Sequence, residues 1–197
     1  DAAEQLQYKP VPKPRLRSSS KDDPETAICV VSDWQLGKKT PTYSTAICAR
    51  RIKLYAERVR RLTDIQRADR PIRKLKAFVL GDICEGELIF PGQEHRIDAS
   101  LFRQVMLDGP EILGTFLREM LVYFEEVEVF DVIGNHGALV GPGRKHYHPE
   151  SNADAMLYEA TRKMLQGETR LIWKRHLPAS ERAWYQVVTI GQHTYFL

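Results

Sequence analysis

Three short apolar runs punctuate the chain: Ala27-Ile28-Cys29-Val30-Val31, Ala77-Phe78-Val79-Leu80 and Val127-Glu128-Val129-Phe130-Asp131-Val132-Ile133. Each is rich in β-branched or aromatic residues and stops at a turn residue, the pattern of a buried strand. Between them the period lengthens. Ile52, Tyr55, Val59 and Leu62 recur at 3-4-3 spacing, which predicts a helix, and Pro71 ends that region. A second helical region is predicted over about 99 to 124, interrupted at Gly109-Pro110, with Leu113, Phe116, Leu117, Met120, Leu121 and Phe124 as its core stripe. Ser151 or Asn152 is placed to cap a third helix running to about 166, and Asp154 adds charge that suits its N-terminus. Residues 170 to 174, 184 to 190 and 193 to 197 read as further strands. The β-α-β-α-β order predicts an α/β fold with right-handed crossovers and a largely parallel first sheet.

Composition adds bounds rather than chemistry. With 197 residues, 43% hydrophobic and 28% charged, the chain reads as one ordinary globular domain. Residues 1 to 25 stand apart as a basic, Pro- and Ser-rich arm or linker containing Lys9-Pro10-Val11-Pro12-Lys13-Pro14-Arg15. The domain then spans 26 to 197. No apolar run approaches the ~20 residues of a membrane span, so no membrane partner is expected. Cys29, Cys48 and Cys84 are odd in number and widely spaced. They predict reduced, core-lying thiols and an intracellular, cytoplasmic protein. The net charge of +3 is small, but residues 50 to 76 concentrate eleven Lys and Arg against Glu57, Asp64 and Asp69. That segment is either a solvated helix face or a phosphate-contacting flank.

The candidate chemistry lies where the three runs end, in Ser32-Asp33-Trp34-Gln35-Leu36-Gly37, Gly81-Asp82-Ile83-Cys84-Glu85-Gly86 and Gly134-Asn135-His136-Gly137. Ligands of open α/β sheets bind at the carboxyl ends of strands, and hard oxygen donors converging there suggest a metal site. Glu85 and Glu87 are expected to make local hydrogen bonds. His95, His146, His148, His176 and His193 have no neighbours that distinguish them as ligands.

Taken in order, the motifs resemble those of the calcineurin-like metallophosphoesterases: Asp-x-His, Gly-Asp-x-x-Asp/Glu and Gly-Asn-His-Asp/Glu. The likeness covers roughly residues 26 to 197. It implies a sandwich of β-sheets flanked by helices and a two-metal centre that hydrolyses phosphate esters. In such a centre Asp33 and Gln35 would hold one metal, Asp82 would bridge, and Asn135 would hold the other. His136 would be the catalytic residue at the transition state or leaving oxygen. The chain departs from the family at two positions. Gln35 stands where the family has histidine, which favours Mn²⁺ or Mg²⁺ over other transition metals. Gly137 stands where an acidic residue orients the histidine, a task left to Asp154 or Glu150. The family's later histidine ligands are absent and the sequence ends within the apolar stretch Thr194-Tyr195-Phe196-Leu197. The C-terminal part of such a domain is therefore expected to be missing.

The family spans many substrates. Ser-Asp-x-x-Leu-Gly-Lys, read through Lys38, is similar to the first motif of DNA-repair exonucleases. The second motif with Ile89-Phe90-Pro91-Gly92-Gln93-Glu94 is similar to the proofreading small subunit of archaeal D-family polymerases, and the third resembles phage-encoded members. The expectation is a Mn²⁺-dependent DNA exonuclease, with Lys38, Arg144 and Lys145 contacting substrate and a homodimer as a possible state. The alternatives are a small-nucleotide phosphodiesterase or phosphatase, and a degenerate, non-catalytic DNA-binding or assembly subunit.

Overall fold

Strands form where the apolar runs predict them. A computed structural model describes residues 8–16, 24–140, 148–174 and 184–197. In it β1 (Glu25–Val31), β2 (Ile72–Leu80), β3 (Glu126–Val132) and β4 (Leu171–Lys174) make one parallel sheet in the order β1-β2-β3-β4. The connecting helices are α1 (Thr45–Arg67), α2 (Gly109–Tyr123) and α3 (Ala153–Met164). Each crossover adds the next strand on the same side, so right-handedness puts all three helices on one face. Their side chains share a single core with the sheet, built from Leu75, Ala77 and Val79 of β2, Val127 and Val129 of β3, and the whole predicted stripe of α2. No helix among the described residues is long and apolar enough to cross a membrane. All three cysteines are buried and free.

Two helices differ from the expected pattern in detail. In α1 the buried line runs through Cys48, Ile52, Tyr55, Ala56, Val59 and Thr63, while Leu62 is 62% exposed. The 3.6-residue period passes the core line from Val59 to the position four residues on rather than three. The second region begins as a short α turn, Leu101–Arg103, and widens to a π stretch, Gln104–Asp108, before α2. Pro110 has no N–H to give and its ring crowds the carbonyl of Met106, so the ladder loosens just ahead of it.

The opposite face of the sheet is divided. Towards the carboxyl ends, Phe78 and Phe130 pack against Val188 of a hairpin formed by β5 (Val187–Ile190) and β6 (His193–Phe196). Towards the amino ends, Lys74 faces Glu126 and Lys76 faces Glu128 in register, with Arg73–Glu125 and Lys174–Glu128 extending the ladder. β1 is an edge strand. Ile28 and Val30, expected to be buried, are exposed because no layer among the described residues covers that side of β1. The Tyr55 hydroxyl accepts from Val30 N–H at 3.1 Å and donates to Val30 C=O at 2.9 Å, closing part of the open edge.

This topology relocates the basic segment. α1 runs antiparallel to the strands, and Arg67 at its end donates to the carbonyl of Ile72 at the start of β2. From Arg58 onward the segment therefore lies towards the amino ends of the strands, away from the edge that carries the motifs. Arg73, Lys74 and Lys76 are already paired with glutamates. Arg50, Arg51 and Lys53, in the first turns of α1, lie nearer the opposite end.

Residues 8–16 form neither helix nor strand, yet they lie against the domain. Glu168 accepts from Val11 N–H, Arg118 pairs with Glu168 and donates to Lys9 C=O, and Arg170 donates to Val11 C=O.

Candidate active site at the carboxyl edge of the sheet

Three residues other than glycine have positive φ among the described residues, and all three are predicted site residues: Asp33 (φ 54°), Gln35 (φ 45°) and Asp82 (φ 50°). A side chain in that region costs on the order of 1 kcal/mol. Such strain persists only where surrounding bonds impose it, and here the bonds are visible. Asp33 N–H donates to Gly81 C=O, Gln35 N–H to Asp82 C=O at 2.9 Å, and Leu36 N–H to Ile83 C=O at 2.8 Å. Glu85 N–H returns to Leu36 C=O at 2.9 Å. The first two loops are thus zipped together past the ends of β1 and β2.

The third loop is tied to the second from both sides. Asp82 Oδ1 accepts from His136 N–H at 2.8 Å. Asp154, in the first turn of α3 and fully buried, accepts from Asp82 N–H and Gly134 N–H through Oδ2 and from Cys84 N–H through Oδ1, each at 2.9 Å. Burial pushes its carboxyl up to about 6 against the pull of the Cys84, Gly134 and Asp82 amides. Asn152 caps the helix, accepting from Asp154 N–H, and donates to Gly134 C=O. Gly134 leaves no choice of residue: an added Cβ would lie 2.0 Å from Asp82 Oδ1.

Around His136 the side chains form a chain of contacts. Its Nδ1 is 3.1 Å from Glu85 Oε2, with Glu85 only 5% exposed. Its Nε2 is 3.4 Å from the amide nitrogen of Gln35. The amide oxygen of Gln35 accepts from Lys38 Nζ at 2.6 Å, and Lys38 Nζ is 4.0 Å from Glu85 Oε2. The Phe90 and His136 rings meet edge to face, 5.5 Å between centroids. Neither Asp154 nor Glu150 orients His136. Asp154 is spent on backbone amides and Glu150 lies beside His148, while Glu85 is the acid near the imidazole, though neither its Oε2 nor His136 Nδ1 makes a hydrogen bond. Two buried glutamines also shape the site: Gln104 accepts from Gly86 N–H, and Gln93 donates to Glu85 C=O. Glutamine in a helix or loop reads as surface, so the sequence carried no signal for either.

The donors available to a cation are hard oxygens. Asp33 accepts from Ser32 Oγ through one oxygen and Asp82 from His136 N–H through one oxygen, leaving each a second oxygen, and the exposed Asn135 amide lies on the same edge. Gln35 differs, because Lys38 already holds its oxygen. No group of three or more His, Cys, Asp or Glu placed to hold a metal occurs among the described residues. By donor chemistry the oxygens of Asp33, Asp82 and Asn135 suit a hard divalent ion, and that of Gln35, held by Lys38, does not. Arg144 and Lys145 lie outside the described residues. No family model, curated protein or solved structure matches the chain.

Proposed function

We propose that the protein is a metal-dependent phosphodiester hydrolase of the calcineurin-like metallophosphoesterase type. The observation that carries this reading is the coincidence of all left-handed non-glycine residues among the described ones, Asp33, Gln35 and Asp82, on the strand edge that also presents Asn135 and His136. Asp33, Asp82 and Asn135 would hold a divalent ion, Mg²⁺ or Mn²⁺ by donor type. When bound, such an ion neutralises phosphate charge and lowers the pKa of water. The chain's own groups do the rest. Glu85 sets a carboxylate oxygen 3.1 Å from Nδ1 of His136. His136 would serve at the transition state or the leaving alcohol oxygen. Lys38 places a cation on the path of an anionic substrate.

A DNA substrate, the exonuclease of the sequence reading, is supported by the first-motif likeness through Lys38. The basic segment 50 to 76 does not add to it. A second reading, a binding subunit without turnover, is favoured by one observation, the Lys38 ammonium bonded to Gln35 where a second metal ligand was expected.

The deciding experiment is hydrolysis of bis(p-nitrophenyl) phosphate and of end-labelled single- and double-stranded DNA in Mn²⁺ or Mg²⁺. Asp82→Asn is the control, since asparagine tolerates positive φ. Turnover that requires both ion and Asp82 supports the hydrolase. Undiminished turnover in Asp82→Asn, or none in wild type, overturns it.

A further inference from the structure

Phe90 is a large apolar side chain, 52% exposed, standing against the proposed catalytic histidine with its ring 70° to the imidazole. Its position is built, not incidental. Gln93, 3% exposed, accepts from the N–H groups of Ile89 and Phe90 and donates to Glu85 C=O at 2.7 Å. Gln93 N–H closes the turn onto Phe90 C=O, with Gly92 in the left-handed region at φ 75°. The other end of the loop is held by Gln104 on Gly86 N–H. Two buried amides therefore fix an aromatic ring at the mouth of the site, and about half of that ring is left uncovered.

We propose that Phe90 is a stacking platform for the nucleobase adjoining the phosphate, so that the site selects nucleotide phosphoesters over base-free ones. The proposal rests on the hydrolase reading for where the phosphate sits. Lys38, joined to His136 through Gln35, supplies charge for the phosphate, while Phe90, half exposed, stands beside the same imidazole. A base has such a face whatever its identity, so the preference is for nucleotides without sequence selectivity.

The test separates binding from turnover. Phe90→Trp is titrated in Mg²⁺ with thymidine 5′-monophosphate and with deoxyribose 5-phosphate, reading emission relative to the parent, whose Trp34, Trp173 and Trp184 form the background. Saturable quenching by the nucleotide alone is expected. In parallel, Phe90→Leu is expected to weaken labelled oligothymidylate by roughly 5- to 100-fold, the loss of one stacked base. Equal quenching by both ligands, quenching by neither, or wild-type affinity in Phe90→Leu overturns the platform. Quenching without hydrolysis leaves the platform standing and removes the hydrolase. Hydrolysis without quenching does the reverse.

Discussion

Replacing Asp154 by alanine should unlock the second and third loops from α3. The carboxylate accepts three backbone N–H groups, those of Asp82, Cys84 and Gly134, and none of the three donates to another acceptor in the described structure. Hydrogen bonds to a charged acceptor contribute about 1.5–3 kcal/mol each, so three set a gross loss of roughly 5–9 kcal/mol. Removing the charge gives some of that back. Burial raises the carboxyl from 3.8 to about 6, which corresponds to about 3 kcal/mol of penalty relieved. The net expectation is a loss of about 2–6 kcal/mol at pH 7. Urea or guanidinium unfolding followed by circular dichroism reads it directly, with a fall in midpoint at unchanged slope. Asp154→Asn should lose at least half as much, because one oxygen is kept while the new NH₂ group faces an N–H donor. A loss below about 1 kcal/mol in Asp154→Ala would refute the idea that this side chain holds the loops together.

Gly134→Ala should cost about 1–3 kcal/mol and disturb His136, since the new Cβ meets Asp82 N at 2.2 Å and neither backbone can yield cheaply. Gly167→Ala, whose Cβ meets nothing within 4 Å, is the matched control and should stay within about 0.5 kcal/mol; equal effects would show that the close approach is unimportant. Glu128 feels burial, which raises its pKa, but Lys76 and Lys174 outweigh it and hold the carboxyl below its ordinary value. A depressed folded-state pKa stabilises the fold above the unfolded value and loses that contribution as pH falls through the folded one. The stability difference between wild type and Glu128→Gln should therefore be level from about pH 5 to 8 and shrink below about pH 4; a difference unchanged down to pH 3 contradicts the pairing.

The strands and motif positions were legible because each motif follows a run whose apolar content and length allow little but a buried strand. Asn152 as a cap was legible for a local reason too, its side chain bonding two residues ahead. What failed was everything fixed by distant chain. Nothing local tells that β1 is an edge strand, so Ile28 and Val30 were read as buried. Nothing local tells which end of the sheet each turn of α1 reaches, so the basic segment stayed open between a solvated face and a phosphate-contacting flank. Glu85 looked like a loop acid serving its neighbours, and only the third loop, some fifty residues on, puts His136 beside it.

The two departures from the family pattern are each matched by a neighbour. Gly137 cannot carry an acidic side chain here: its Cβ would lie 2.4 Å from Asn152 Oδ1, and its carbonyl accepts from Ala153 N–H at 2.6 Å, so the third loop sits directly on the start of α3. An acid at that position would cost the helix cap, and Glu85 reaches the same imidazole from the second loop without that cost. Gln35 is matched by Lys38. A histidine metal ligand and a lysine ammonium would compete for the same ground, because a second divalent ion beside Lys38 meets like charge. An amide has no such conflict, since its oxygen holds the lysine while its nitrogen faces His136. Gln35 and Lys38 thus make one bonded unit that sets a positive charge at this edge. Under the hydrolase reading, that unit makes the Asp33, Asp82 and Asn135 position the one whose occupancy decides activity.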